Sequence, residues 1–206
     1  MKWYPHSCQS FTSPHELIGI LAVAISFAGY VPYLHDMFRG KTKPHIFSWI
    51  IWVILEFTSF GIQVKNGAGS GAWVTFFSAL VAVIVVIYAF RHRKLNITKI
   101  DWVCFFGALF SLVLWLVFHQ PLLAAILLSS TDLLAFIPTF RKSWKLPYDE
   151  TLFEYSMASL KFTVAFFAFN SFTLAAVIYP AYLVIANLTF VVYALIRRKA
   201  LKVSIH

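Results

Sequence analysis

Seven runs of about 20 mostly apolar residues follow one another along this chain, and little else is left over. They lie near 16–38, 46–65, 72–91, 101–118, 121–140, 151–170 and 173–196. A run of that length crosses a bilayer as an α-helix, because only a helix satisfies its own backbone N–H and C=O groups where no water is present. The connections are short and carry helix breakers: Arg39-Gly40-Lys41-Thr42-Lys43-Pro44, Asn66-Gly67-Ala68-Gly69-Ser70-Gly71, His119-Gln120-Pro121 and Lys145-Leu146-Pro147. No soluble domain or low-complexity tract fits in what remains of the 206 residues. The chain is 60% hydrophobic and 12% charged, against about 45–50% and about 25% in an ordinary soluble domain. Mean hydropathy is +0.77. These values exclude a soluble globule and a disordered chain. Two cysteines, Cys8 and Cys104, exclude a disulfide scaffold. The fold class is therefore all-α integral membrane.

Charge gives the orientation. The N-terminus and the even-numbered loops carry Lys2 and Lys65 alone. The odd-numbered loops and the C-terminus carry Arg39, Lys41, Lys43, Arg91, Arg93, Lys94, Lys99, Arg141, Lys142, Lys145, Arg197, Arg198, Lys199 and Lys202. The positive-inside rule places the N-terminus outside and the C-terminus in the cytoplasm. An even number of spans would destroy the alternation. In a soluble chain the net charge of +9 would suggest nucleic acid; here it belongs to cytoplasmic loops beside anionic lipid, and no nucleic-acid partner is expected. Met1–Pro14 lacks the apolar stretch of a signal peptide, so the first span is expected to serve as an uncleaved signal. Trp3, Tyr4, Trp73 and Trp102 fall at expected interfaces, where aromatic belts form.

Spans one and five are alike. An offset of 106 places Pro32 on Pro138, Tyr30-Val31 on Phe136-Ile137, Phe38 on Trp144, Arg39 on Lys145, Phe47 on Phe153 and Trp49 on Tyr155. Each proline is followed by a basic loop with a second proline, Pro44 or Pro147. The pattern reads as two parallel repeats in a 3+1+3 plan. A short exterior N-terminus (1–15) precedes a first three-helix repeat (16–91). A linker helix (101–118), a second three-helix repeat (121–196) and a cytoplasmic tail (197–206) follow. The order Gly29-Tyr30-Val31-Pro32-Tyr33, Phe38-Arg39-x-Lys41-Thr42, Ser48-Trp49-x-x-Trp52 resembles the PQ-loop repeat of the SWEET-type sugar transporters and their relatives. The glutamine that follows the proline in that family is Tyr33 in the first repeat and Thr139 in the second. The second repeat, from Asp132 to Lys161, looks like that of a group of bacterial membrane proteins, which carries no substrate over. The nicotinamide-riboside transporters share the plan, but their tryptophan–asparagine pattern is absent here. The resemblance implies a carrier in the bacterial inner membrane, with Pro32 and Pro138 as hinges.

Polar residues in the spans mark the candidate site. A charge at a helix centre costs about 2.5–3.5 kcal/mol on insertion scales. Glu56, Asp132 and Lys161 lie near mid-span. Glu56 and Lys161 are one residue apart in the repeat alignment, and Ser26 is the counterpart of Asp132. Together they define a midplane polar layer. Asp132 or Glu56 reads as locking Lys161 in a structural ion pair, or all three as lining a substrate path. Trp49, Trp52, Glu56, Ser59 and Gln63 share one face of span two, and rings beside a carboxylate suit a sugar, a nucleoside or an organic cation. Asn187 on span seven joins the substrate-binding set. Glu154, Ala158, Lys161 and Ala165 form one stripe on span six, whose small residues allow close helix approach. Pro180 is expected to kink or open span seven. Asp132 and Glu56 are the candidates for proton coupling, with facilitated diffusion the alternative. Asp36, with Arg141 and Lys142 from the other repeat, is the candidate inner gate. Asp149 and Glu150 favour the start of span six through the helix dipole, and Thr151 beside them reads as a cap.

Other chemistries lack their residues. No His or Cys set has metal-ligand spacing, no cofactor is implied, and Asn66–Gly71 has no P-loop lysine. A retinal protein would need its lysine on span seven, one helix after Lys161. No histidine stands near mid-membrane to activate Ser129 or Ser130 beside Asp132, so an enzyme is not expected. The expected function is a membrane carrier for a small polar organic solute by alternating access. The second class is a receptor or cargo-binding protein on the same fold, without turnover; oligomeric state is not written in the sequence. A C-terminal reporter should be active only in the cytoplasm and an N-terminal cysteine label should react only from outside. The reverse pattern in whole-cell labelling would overturn the orientation.

Overall fold

The computed structural model describes residues 13–92, 97–118 and 120–203. Trp3, Tyr4, Cys8, Arg93 and Lys94 lie outside the described residues. Among the described residues there are seven α-helices and no strand: α1 Pro14–Phe38, α2 Ile46–Lys65, α3 Trp73–Arg91, α4 Lys99–Phe118, α5 Pro121–Lys145, α6 Leu152–Phe167 and α7 Leu174–Val203. A 3₁₀ turn, Gly69–Ala72, leads into α3. Five helices are long and apolar enough to cross a membrane: α1, α2, α3 with its leading turn, α5 and α7.

Local chemistry explains the boundaries. The Ser13 hydroxyl accepts from the Glu16 amide (3.2 Å) while the Glu16 carboxylate accepts from the Ser13 amide (2.7 Å), and Pro14 costs no hydrogen bond in the first turn. Pro32, Pro138 and Pro180 all sit inside helices that continue through them. Gly67 and Gly69, at φ of 73° and 61°, turn the chain between α2 and α3, a conformation only glycine adopts freely. α6 has 16 residues, about 24 Å at 1.5 Å per residue, and stops short of the expected 170. The chain turns at Ala168, where the Ala168 amide donates to the Ala165 carbonyl and the Phe169 amide to the Phe166 carbonyl, and Ser171 Oγ then donates to the Asn66 carbonyl (2.7 Å).

The tail expected from 197 is instead the last turns of α7, which runs to Val203. Arg197 and Arg198 hold it there. Arg197 Nε donates to the Trp144 carbonyl (2.8 Å) and its guanidinium lies 4.3 Å from the Trp144 ring centre. Arg198 donates to the carbonyls of Pro147 (2.9 Å) and Glu150 (2.8 Å). The orphaned carbonyl at the C-terminus of α5 and those of the following loop thus find donors.

α3 packs against both α1 and α2, and α7 packs against both α5 and α6. α1 lies along α6, α2 meets α5, and α4 rests mainly on α5. Trp52 is the joint among three apolar clusters, centred on Leu55, Leu128 and Phe162, on Tyr33, Trp49 and Val85, and on Phe136, Tyr155 and Phe190. Outward-facing Leu17, Ile20, Phe27, Phe106, Phe110, Val192 and Ile196 are exposed, an apolar coat that a soluble surface would not carry.

Gly29 sets the approach of α1 to α6. A Cβ at that position would fall 2.6 Å from Glu154 Oε2 and 2.7 Å from Met157 Cβ. Gly29→Ala is therefore expected to force the helices apart and cost about 1–3 kcal/mol. Gly61→Ala, where nothing lies within 4 Å of the added carbon, is the control that should leave the thermal melting point of the purified protein unchanged.

Candidate functional site

A cavity lies at the meeting of six helices. Tyr30 comes from α1, Trp49, Trp52 and Glu56 from α2, and Ser78 and Ala82 from α3. Asp132 and Phe136 come from α5, Glu154, Tyr155, Ala158, Lys161 and Phe162 from α6, and Leu183 and Asn187 from α7. All six residues expected to bind substrate, Trp49, Trp52, Glu56, Asp132, Lys161 and Asn187, are on its wall. It offers about 50 Å³ to the centres of water-sized groups, at about 10–15 Å³ for one water. In this conformation it has room for the centres of a few water-sized groups.

The chemistry of the wall is uneven. Lys161 is 1% exposed. Its ammonium donates to Ser78 Oγ (2.9 Å) and Tyr30 Oη (3.1 Å), lies 4.2 Å from the Tyr30 ring centre, and pairs with Glu154 Oε1 at 3.8 Å. The sequence offered Asp132 or Glu56 as its partner; the closest carboxylate is Glu154. Its spacing of seven residues from Lys161 on one helix stripe was the signal. Tyr30 and Ser78, which complete the ammonium's surroundings, had no such signal. Asp132 is fully buried and faces α7, where the Tyr179 hydroxyl approaches Oδ1 at 3.5 Å. Glu56 Oε2, Asp132 Oδ2, Glu154 Oε2 and the Trp52 indole N–H are buried with no hydrogen-bond partner. Trp49 and Trp52 meet edge to face at 5.1 Å, and Trp52 meets Phe136 at 4.9 Å, so aromatic rings line one side.

The polar face of α2 divides. Trp49, Trp52 and Glu56 line the cavity. Ser59 and Gln63 serve the helix pair instead: Gln63 Nε2 donates to Ser59 Oγ (2.9 Å) and Gln63 Oε1 accepts from Thr75 of α3 (3.1 Å). Ser26 is buried with an unpartnered hydroxyl, but it is not on the cavity wall. Asn187 lines the cavity while its Nδ2 donates to the Leu183 carbonyl (2.8 Å).

The basic end of the bundle is held together by partners other than those expected. Asp36 does not pair with Arg141 or Lys142. Its carboxylate accepts from Thr151 Oγ1 (3.2 Å), and Thr151 also bonds Thr42. Thr151 is thus no side-chain cap for α6, though it holds the cap position. Arg141 donates to Asp101 through Nε (3.0 Å) and Nη2 (2.6 Å), tying α5 to the start of α4. Lys142 bonds Glu150 and donates to the Lys43 carbonyl (2.5 Å). Glu150 also accepts from the Tyr155 hydroxyl (3.1 Å); burial pushes its carboxyl up, and the Lys142 ammonium opposes the rise. Lys43 Nζ reaches both oxygens of Asp149, at 3.0 and 3.1 Å. Burial pushes the His45 imidazole down to about 4, against the pull of Asp101, so His45 is neutral at pH 7. The lost pairing has a plain cause: Asp101 and Glu150 take the two cations, and Asp36 is left with Thr151 and, at 3.6 Å, the His35 imidazole.

No family model matches this chain, and neither the curated proteins nor the solved structures contain a match to it.

The Glu154–Lys161 contact makes a checkable claim. Glu154→Gln or Lys161→Met alone leaves a buried charge uncompensated and should cost about 3–5 kcal/mol, whereas the double variant should recover much of the loss. Thermal melts of the three purified variants measure the coupling; additive losses would sink the pairing.

Proposed function

We propose that this chain is a membrane carrier for a small polar organic solute, built on a SWEET/PQ-loop-like 3+1+3 plan. The observation that carries the reading is the cavity between α1–α3 and α5–α7, with binding groups supplied by both helix triples. A site shared by two bundles is what alternating access requires, since rocking one bundle against the other opens the site first to one side and then to the other.

The packing supports the repeat. In each triple the third helix lies between the first two, α3 beside α1 and α2 and α7 beside α5 and α6. Residues related by the offset of 106 also meet across the molecule. Lys43 bonds Asp149, its own repeat counterpart. Gly29 faces Glu154, while their counterparts Ala135 and Ser48 form the hydrogen bond from Ser48 Oγ to the Ala135 carbonyl (2.6 Å). Such pairing supports a two-fold axis between the triples.

In this mechanism Glu56 and Asp132 exchange protons or ligate the solute, and Trp49, Trp52 and Asn187 orient it. Pro32 and Pro138 supply the flexible points, because a helix lacks one ladder hydrogen bond at each proline. The Asp36–Thr151–Thr42 contacts, Lys43–Asp149 and Lys142–Glu150 are the inner gate. The bacterial inner membrane, with the basic end in the cytoplasm, is the proposed location.

Uptake into proteoliposomes tests the reading, with a panel of sugars, nucleosides, vitamins and organic cations, with and without a pH gradient. Saturable uptake is expected in the wild type. Folded Glu56→Gln and Asp132→Asn variants should lose it by about tenfold or more, equivalent to about 1.4 kcal/mol of binding. Ligand-induced thermal stabilisation without any uptake would instead establish a receptor on this fold.

A further inference from the structure

The ionisable groups on the cavity wall do not balance. Lys161 and Glu154 neutralise each other on the side formed by α1, α3 and α6, with Tyr30 and Ser78 against the ammonium. Glu56 and Asp132 are a second pair of acids, from α2 and α5, on the same cavity. Among the described residues neither has a cation within 4.0 Å, and each keeps one buried oxygen without a donor. Lys161, on the same wall, is held by Glu154, Tyr30 and Ser78. A buried carboxylate in this state must take a proton or be given a cation.

The rest of that half of the wall suits a cation. Trp49, Trp52 and Phe136 present aromatic rings, the Trp52–Phe136 pair at 4.9 Å and the two tryptophans at 5.1 Å. Ring faces attract ammonium groups, by about 2 kcal/mol or more where water is excluded. A neutral solute would satisfy the lone pairs but leave the charge unanswered.

We infer that the ligand of this cavity is a small organic cation, its ammonium seated between Glu56 and Asp132 against the Trp49, Trp52 and Phe136 rings. This names the substrate class of the site proposed above; its movement across the membrane rests on the carrier reading, and its binding does not. Because the cation replaces protons on the two acids, acid weakens its binding. The other groups facing the acids are Tyr30 from α1, Glu154, Tyr155 and Lys161 from α6, and Tyr179 and Tyr182 from α7; α3 presents the non-ionising Ser78.

The test uses the full-length chain. Tryptophan fluorescence is titrated in lipid nanodiscs with choline, phenethylamine and agmatine, and with the neutral isosteres 3,3-dimethylbutanol and phenethyl alcohol. Labelled forms of the same compounds, with glucose and uridine, are followed in proteoliposomes. At least one cation is expected to bind saturably, about tenfold or more tighter than its isostere, and to bind more weakly as pH falls. Glu56→Gln and Asp132→Asn should each weaken it about tenfold; the comparison of cation with isostere in the wild type holds even where a variant fails to fold. A cation that binds but does not cross leaves the inference standing and overturns the carrier reading. Uptake of glucose or uridine without cation binding overturns the inference and leaves the carrier. Equal binding of cation and isostere, or no saturable response to any of the three cations, also overturns the inference.

Discussion

A charge without a partner is expensive where water is scarce, and the arrangement of this bundle follows from how its buried cations are answered. Lys161 takes a glutamate, a tyrosine and a serine from three helices. In doing so it ties α6 to α1 and α3 across the boundary between the two triples. Arg141 and Lys142 are answered by Asp101 and Glu150, which fix α4 and the start of α6 to the end of α5. Apolar contacts alone give helices little reason to associate in lipid, because the tails are as apolar as leucine. Small residues such as Gly29 let the backbones come close, and the polar contacts then choose which helices are neighbours.

The helical layout was legible in the sequence because it rests on a long-wavelength signal. A run of about 20 apolar residues survives any local ambiguity, and a helix is the only structure such a run can adopt alone. The ends were less legible. α6 stops early and α7 runs on because of bonds to distant segments, Ser171 to the Asn66 carbonyl and Arg198 to the Pro147 carbonyl, and nothing within either helix announces them.

The candidate cavity was legible for the same reason that it is costly: ionisable groups are rare in such helices, so Glu56, Asp132 and Lys161 stood out. Their partners did not. Tyr30 and Ser78 are ordinary residues on apolar helices, and only the packing brings them to the lysine. Asp36, Arg141 and Lys142 were expected to pair with one another and instead take other partners. Sequence places a side chain near one end of the bundle and does not say which of several opposite charges reaches it first. Asp101, at the opening of α4, was the competitor for Arg141, and its importance is invisible until α4 is seen to lie along α5.

The contact between Lys43 and Asp149 carries a consequence for the history of such a chain. In the proposed two-unit arrangement these residues are the same position seen twice, meeting on the axis that relates the halves. Two copies of the first half, assembled as a pair, would bring lysine against lysine there, and two copies of the second would bring aspartate against aspartate. Opposite charges at one symmetric position mean that neither half closes well upon itself. In that arrangement the two halves are complementary at this position, and joining them in one polypeptide would keep each beside the other.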